Sequence, residues 1–544
     1  MPYVADIIVL LLYFALVLGI GLSQRSKSGS MEGFALGDRQ IAWWAVLASI
    51  LAAEISAGTF FGTPGEGYSH RNFTYLQLII GYLLARLVVS AVFIPAFYRH
   101  NVVSIYEFLG IRFGPRTRLL GSGVFLVTRL LASGTRLWVP TVLLVLLWRL
   151  ANPNESMTPM QEFWLTGLAL LFVTMATAVY TTIGGIRAVI WTDVLQIVVL
   201  FAALGFSFFY LLSHIPGGWA GAQEKLQGPH DWQLFDSGVK SGAGFWANVK
   251  SVLEQEYTLW AAFLGSTFVT LATHGTDQDM VQRMLTAKNK RQSAVATILS
   301  GLADVPIAWV VLAIGILLNV YYATNPDPLL PVDANGNVQA NKVFPHFILT
   351  VMPAGLRGLV LAGVLATTMG SLSTAINSLA TSYVRDFHFR WFGEPSDERG
   401  RVRALRLGTV VFSSLLVAVA LATAWVSVQH PQLRIIPIIL GIFGYTYGSL
   451  LGVFMVGLFT RTRGNDTGNA IAMLSGFLVV AYLSGLDQSI AANFGAGGIP
   501  RPPWMPVIEF PWRILFGTIV TFSVAMFFST PEHKRRAFGE AASG

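Results

Sequence analysis

The feature that most constrains the fold is a series of long apolar runs. Thirteen runs follow one another along the 544 residues, each near or above the roughly 20 residues that a helix needs to cross a bilayer. They lie at 4–24, 42–65, 73–97, 117–149, 160–182, 188–213, 254–275, 291–321, 345–385, 403–427, 432–459, 466–484 and 510–530. Only 12% of the residues are charged, about half the share of a typical soluble domain. The sequence predicts an all-α integral membrane protein with about thirteen transmembrane helices.

The distribution of positive charge predicts the orientation. An odd number of spans puts the two termini on opposite sides of the membrane. Most of the 36 Lys and Arg residues fall in segments that share one side, including 112–118, 283–291, 385–406 and 534–536. Because cytoplasmic loops are rich in these residues, we expect the N-terminus outside and the C-terminus in the cytoplasm of a multi-pass cell (plasma) membrane protein. The net charge of +8 is then a topology signal, with membrane lipids as partners and no nucleic acid.

The second run contains the most unusual stretch of the chain. Residues 43–67 read WWAVLASILAAEISAGTFFGTPGEG, which places Glu54 near the middle of an apolar span, followed by Gly58, Thr59 and further glycines. A charge at membrane depth is costly and is usually paired, hydrated or functional. Small residues at that depth suggest an opened backbone, which a membrane tolerates only in protein or along a cavity. We therefore expect a mid-membrane binding site for an ion or a small solute.

Several classes of function are disfavoured. The chain has no cysteine, no GxxxxGK[ST] phosphate loop and no HExxH motif. The longest loops, about 214–250 and 322–343, are too short for a soluble domain of about 100 residues. We predict one transporter domain over 1–544 that is not an enzyme. A membrane sensor built on a transporter fold stays open as an alternative.

Four segments carry a family resemblance. Residues 180–196 read YTTIGGIRAVIWTDVLQ, and the segments 31–37 (MEGFALG), 104–113 (SIYEFLGIRF) and 275–283 (GTDQDMVQR) agree with it. Together they resemble the sodium:solute symporter family, including its sodium/proline and sodium/sugar members. The resemblance implies a LeuT-like core of two inverted five-helix repeats, at about 40–213 and 250–460. Peripheral helices would lie at 4–24, 466–484 and 510–530.

The resemblance also implies Na⁺ sites. The first sodium site would take two carbonyls of the second span and hydroxyls of the ninth: Ala52, Ile55, Thr367 and Ser371. Gly370 stands where many members have serine. Either a water replaces that ligand, or Thr367 or Thr368 turns inward, or the site is weakened. A second sodium site is permitted by Asp193, Ser373 and Thr374. There are structural alternatives to both sites. The hydroxyls could bond to carbonyls of their own helix, and Asp193 could lie at a cytoplasmic helix N-terminus and interact only with the helix dipole.

The solute contacts are less defined. The sugar contacts of the family do not carry over, since Leu78 and Asp304 replace an acid and a lysine. Glu54 matches an acid of proline-transporting members, and Arg136 offers the fork that a carboxylate prefers. We expect Glu54 to face Arg136 or an ion. The structural alternative is that Arg136, Arg129 or Arg86 pairs with Glu54, Asp304 or a lipid headgroup. The candidate solute residues are Glu54, Gly58, Thr59, Gln77, Arg136, Asp277 and Asp304.

The function predicted from these residues is sodium-coupled symport. A secondary active transporter would import a small polar organic solute, such as an amino acid or a carboxylate, by alternating access. The alternatives are a sodium/sugar symporter, a proton-coupled symporter with Glu54 as the proton carrier, and the membrane sensor.

Overall fold

The architecture is helical throughout the part of the chain that is described. This computed structural model describes residues 3–24, 29–138, 157–333, 335–429 and 441–540, with isolated positions between 139 and 156 and at 438 and 439. Within these residues the only β-structure is three isolated bridges.

The helices follow the apolar runs closely. The first group is α1 (Val4–Ser23), α2 (Met31–Leu36), α3 (Trp43–Glu54), α4 (Ala57–His70), α5 (Thr74–Arg99), α6 (Tyr106–Arg112) and α7 (Pro115–Arg136). Next come α8 (Pro159–Ser213), α9 (Gly218–Lys225), α10 (Phe245–Leu253), α11 (Thr267–Gly275), α12 (Gln278–Met284) and α13 (Lys290–Thr324). The last group is α14 (Ala340–Thr350), α15 (Leu356–Phe392), α16 (Glu398–Gln429), α17 (Ile442–Phe459), α18 (Asp466–Leu483), α19 (Leu486–Ala492), α20 (Phe510–Met526) and α21 (Glu532–Glu540).

Length and hydropathy identify the helices able to cross a membrane. Among the described residues eight helices qualify, and a ninth span results if the bent pair α3 and α4 is counted as one. The predicted runs 117–149 and 432–459 lie partly outside the described residues. The all-α membrane architecture is confirmed, whereas the number thirteen stays a prediction.

One predicted boundary changes in the structure. The runs 160–182 and 188–213 both lie in α8, in which two helical segments meet at the non-helical residue Gly185 (φ 58°, ψ −152°), between the two runs. The prediction of a single span over 345–385 is wrong at its start. Its first part belongs to the separate helix α14, which packs against α4, because Pro353 and Gly355 (φ 88°) interrupt the chain before α15.

The interrupted second span lies at the centre of the helix bundle. Helix α3 contacts α8, α13 and α15, and α4 contacts α13, α14 and α15. The residues of α3 that face these neighbours, such as Ala45, Ile50 and Ala52, are almost fully buried. The break between α3 and α4 is therefore enclosed by protein, as the cost of exposing backbone polar groups to lipid requires.

Candidate functional site

The second span is broken where its sequence turns from apolar to small residues. Helix α3 ends at Glu54, α4 begins at Ala57, and their axes differ in direction by 66°. Ile55 and Ser56 are extended, and the Ser56 hydroxyl caps α4 by accepting the Thr59 N–H at 3.4 Å. The opened backbone expected from the sequence is thus present.

The break leaves backbone groups available for ligands. Within the described residues no backbone N–H donates to the carbonyl oxygens of residues 52–55. These oxygens lie at the negative end of α3, and the first N–H groups of α4, at Ala57 and Gly58, lie at a positive helix end. A cation is favoured at the former and an anion at the latter.

Helix α15 presents a group of hydroxyls toward the middle of the bundle. The hydroxyls of Thr367, Ser371, Ser373 and Thr374 each donate to a carbonyl three or four residues earlier in the same helix. These hydroxyls therefore bond to carbonyls of their own helix, as the alternative to sodium binding predicts. They can still bind a cation, because a hydroxyl that donates its hydrogen to a carbonyl keeps lone pairs for a cation.

Gly370 brings α15 against the break. A methyl group placed on its Cα would stand 3.1 Å from the carbonyl oxygen of Ala52 and 2.8 Å from Gln196 Oε1. Ala52, one of the predicted first-site residues, therefore lies directly beside the hydroxyl-bearing helix. Only a glycine permits this close approach without displacing a neighbour.

Asp193 does not lie at a helix N-terminus, which was the alternative to a sodium-binding role. It lies inside α8, fully buried, and its Oδ2 accepts a hydrogen bond from the Ser49 hydroxyl at 2.5 Å. Arg283 donates to the carbonyl of Ser49 at 3.0 Å and stands 3.8 Å from Asp193 Oδ2. Oδ1 of Asp193 has no hydrogen-bond partner among the described residues. A buried carboxylate with one free oxygen suits a cation better than a helix-end role.

Glu54 does not pair with Arg136, contrary to the expectation from the sequence. It forms an ion pair with Arg86 of α5, and its Oε1 lies 2.6 Å from His274 Nε2. Arg86 also contacts Asp304 of α13 at 2.9 Å and donates to Ser300 at 3.1 Å. Arg86 is almost fully buried, so the two acids neutralise a guanidinium that would otherwise be very costly at this depth.

A second charged group surrounds the chain just after the end of the predicted seventh span. Helices α11 and α12 are separated at Thr276 and Asp277, and the Asp277 side chain caps α12. Asp277 pairs with Arg129 of α7 and accepts the Tyr447 hydroxyl of α17 at 2.7 Å. Asp279 lies 3.2 Å from the same arginine. Three helices are therefore joined at this break.

Arg136 stands out from the other arginines of the site. Its guanidinium lies 5.1 Å from the ring centre of Phe443. The guanidinium of Arg129 lies 5.2 Å from the same ring centre. Arg136 makes no ion pair or side-chain hydrogen bond with another residue of the described ranges, and it is partly exposed. By contrast, Arg86 and Arg129 are buried and paired with acids.

The remaining solute candidates are spread apart. Gly58 and Thr59 lie in the first turn of α4, at the break. Gln77 lies at the start of α5, where its amide donates to the carbonyls of Thr74 and Tyr257 and accepts the Asp236 N–H. All of its polar atoms are engaged with backbone.

Some residues of the site were not selected from the sequence. The seventh span is predicted to end at residue 275, where α11 ends, but the short helix α12 after it was missed, although Gly275-Thr276-Asp277, a glycine followed by two capping residues, is a signal for a helix end and a new start. Ser49, Gln196 and Arg283 were missed because their partners lie on other helices.

An interrupted membrane helix with free carbonyl oxygens, facing hydroxyls and mid-membrane charges, defines a secondary membrane transporter. The sequence model of the sodium:solute symporter family matches residues 34–476. The chain therefore belongs to that family and is a sodium-coupled symporter.

Curated relatives agree with this membership. The chain is 28% identical over 536 residues to the sodium-dependent multivitamin transporter of Oryctolagus cuniculus, covering 97% of this chain and 77% of the relative. It is 28% identical over 481 residues to the sodium/sialic acid symporter NanT of Aliivibrio fischeri, covering 88% and 87%. It is 27% identical over 535 residues to the sodium-coupled monocarboxylate transporter 2 of Homo sapiens, covering 93% and 79%.

A solved structure supports the fold. A Na⁺-coupled sialic acid symporter in a substrate-bound outward-open state superposes with a TM-score of 0.75 at 22% identity, covering 96% of each chain. The LeuT-like fold predicted from the sequence is thereby confirmed.

Proposed function

We propose that this symporter imports a small organic carboxylate together with sodium, and that Arg136 binds the carboxylate. The observation that carries the proposal is the guanidinium of Arg136, which has no acid partner among the described residues and is partly exposed beside the Phe443 ring. A mid-membrane arginine without an acid partner is costly until an anion neutralises it. A carboxylate matches the fork geometry of a guanidinium better than a neutral solute does. Two of the relatives are named for acids, sialic acid and monocarboxylates, which agrees with this class.

The break in the second span supports the same solute class. The first N–H groups of α4, at Ala57 and Gly58, form a positive helix end that favours an anionic solute over a cationic one. The sugar-type contacts are missing, and Asp304 is already engaged by Arg86.

Sodium would bind on the other side of the break. The proposed first site uses the carbonyl oxygens of Ala52 and Ile55 with the hydroxyls of Thr367 and Ser371. The buried, half-satisfied carboxylate of Asp193 supports a second site with Ser373 and Thr374. Sodium is a hard cation that prefers several oxygen ligands, and these groups provide them.

Sodium binding and transport are linked through α15. A sodium ion shared by α3 and α15 would hold the two helices together and favour the outward-open state, which completes the solute site. One charge crossing 100 mV supplies about 2.3 kcal/mol and a tenfold sodium gradient about 1.4 kcal/mol. The sum supports roughly 500-fold accumulation of solute per sodium ion.

The experiment is uptake into proteoliposomes of labelled carboxylates, amino acids and sugars under an imposed sodium gradient. We expect a carboxylate to be taken up and Arg136→Gln to raise its KM about tenfold or more, because a hydrogen-bonded charge pair is lost. Sodium-dependent thermal stabilisation in the absence of solute should be unchanged in this variant. Arg136→Lys, which keeps the charge but not the fork, should be intermediate. An unchanged KM in Arg136→Gln would contradict the proposed role.

Proton coupling is the second candidate, and the short contact between His274 and Glu54 is the observation that favours it. Uptake driven by a pH gradient with sodium absent on both sides, and lost in Glu54→Gln, would support it. Sodium-driven uptake retained in Glu54→Gln would refute it.

A further inference from the structure

A buried amide on α8 lies beside the break, and its oxygen is not used by the fold. The side chain of Gln196 is almost fully buried, and its amide oxygen has no hydrogen-bond partner among the described residues, whereas the amide group lies near the hydroxyls of Tyr13 and Tyr180. Leaving such an oxygen unsatisfied costs about 1–3 kcal/mol, so it requires an explanation.

The position of the amide oxygen supplies one. A methyl group on Gly370 would stand 2.8 Å from Gln196 Oε1 and 3.1 Å from the carbonyl oxygen of Ala52. The two oxygens thus both border the space that a Cβ at residue 370 would occupy. Both lack a donor in the described chain, because the carbonyl of Ala52 is one of those released by the break.

A third unsatisfied oxygen lies on the same face of α8. Asp193 precedes Gln196 by three residues, so the two side chains are neighbours on the helix surface. Oδ1 of Asp193 also has no partner within the described ranges. Two oxygens with partial negative charge and one carboxylate oxygen, all buried and without donors, form an environment that a small hard cation stabilises.

We propose that Gln196 Oε1 is a ligand of the transported sodium ion, next to the carbonyl oxygen of Ala52. The inference rests on the first sodium site proposed above, which includes the Ala52 carbonyl, and adds a ligand to that site. An amide oxygen coordinates a hard cation as a backbone carbonyl does, without a further buried charge. Gly370 is then required because the Cβ of any other residue would crowd both oxygens and displace the amide.

The proposal predicts a reciprocal relation between positions 196 and 370. Gln196→Met removes the oxygen while keeping the length of the side chain. Gly370→Ser puts a Cβ beside both oxygens while the long amide is still present. Each change alone should weaken sodium binding. Gly370→Ser combined with Gln196→Ala should restore it, because the new hydroxyl takes the place of the lost amide oxygen.

The experiment measures sodium binding directly. The purified full chain is titrated with sodium at constant ionic strength without solute, and the shift in melting temperature is followed. Proteoliposome uptake gives the sodium concentration for half-maximal transport. We expect Gln196→Met and Gly370→Ser each to raise the half-maximal sodium concentration about tenfold or more, and the double variant to return to within about threefold of the parent.

Controls separate folding from binding. Ser207→Ala removes another buried polar group of α8, one that only donates to the Ala203 carbonyl, and should leave the sodium titration unchanged. Melting temperatures in potassium report whether each variant folds. If Gln196→Met does not fold, Gln196→Glu keeps an oxygen and adds a charge, and it should bind sodium at least as tightly as the parent.

The outcomes are distinct. If Gln196→Met responds to sodium as the parent does, or if the double variant is as weak as the worse single variant, the ligand role of Gln196 is refuted while the symport function stands. Weaker sodium binding in Gln196→Glu would also refute it. If the parent chain shows neither sodium-dependent stabilisation nor sodium-driven uptake, the proposed sodium site fails together with this inference.

Discussion

At the scale of single residues, the charges in the membrane are arranged in small compensated groups. Arg86 is shared by Glu54 and Asp304, and Arg129 by Asp277 and Asp279. Two acids around one guanidinium leave these groups with excess negative charge, which hydrogen bonds from neighbours such as Tyr447 partly offset. Removing one member of such a group leaves another charge buried without compensation, which costs more than the pair itself contributes.

The Arg86 group gives a direct test. Arg86→Met leaves Glu54 and Asp304 buried without their cation, and we expect a loss of about 3–5 kcal/mol, seen as a large drop in the melting temperature of the purified protein. Asp304→Asn keeps the ion pair between Glu54 and Arg86 and should cost clearly less. The triple variant Glu54→Gln, Arg86→Met and Asp304→Asn should recover most of the stability that Arg86→Met loses. A melting temperature of Arg86→Met equal to that of the parent would show that the group is not needed for stability.

At the scale of elements, glycine and capping residues decide where long apolar helices bend or break. The break after Glu54 could be predicted from the small residues that follow it, because these residues disfavour a continuous helix. The kink of α8 at Gly185 lies between the runs 160–182 and 188–213, which the sequence predicts as separate spans. Its φ of 58° and ψ of −152° are accessible almost only to glycine, and a Cβ there would stand 2.5 Å from the carbonyl oxygen of Phe34.

Two glycines of α8 form a matched pair for testing this element. Gly185→Ala should lower the stability by about 1–3 kcal/mol because of backbone strain, with a further loss from the clash with Phe34. Gly205 has open space around the position of a Cβ, so Gly205→Ala should be neutral or stabilise α8 by up to about 1 kcal/mol. Melting temperatures of both variants in the same detergent check the prediction. Equal effects of the two substitutions would mean that the kink does not need glycine.

At the scale of the whole molecule, loops predicted to be cytoplasmic lie at the same end of the bundle. Arg39 donates to Asn101 at 2.9 Å and to the carbonyl of Leu285 at 3.5 Å, which joins three of these loops. A cavity of about 440 Å³ at this end is lined by residues that include Arg118 and Arg385. The grouping agrees with the positive-inside pattern, and we propose that this end faces the cytoplasm.

The absence of cysteine allows a simple test of the orientation. Ser241→Cys and Ser396→Cys each introduce a single thiol at an exposed loop position, the first predicted outside and the second inside. In intact cells a membrane-impermeant maleimide should label the cysteine at 241 and leave the one at 396 unlabelled until the membrane is permeabilised. The cysteine-free parent is the background control. The opposite labelling pattern would place the N-terminus in the cytoplasm.

The charged groups also connect helices that are far apart in the sequence. Glu54, Arg86, His274 and Asp304 come from α3, α5, α11 and α13 and join these helices through one network. The contacts of Asp277 with Arg129 and Tyr447 join that network's helices to α7 and α17.

The amino-acid sequence by itself determined the membrane class, the positions of most helices and the break at mid-membrane. Hydropathy and local backbone preferences depend on residues that are neighbours in the chain, and the motif around Asp193 was specific enough to indicate the family. Only the tertiary structure decided the partners of the charges. Sequence spacing on one helix cannot show which side chains another helix brings near, so Glu54 was expected beside Arg136 and lies beside Arg86 instead. For the same reason a ligand role for Gln196 could be inferred only from the structure, where its amide lies near Gly370 of α15 and the Ala52 carbonyl of α3.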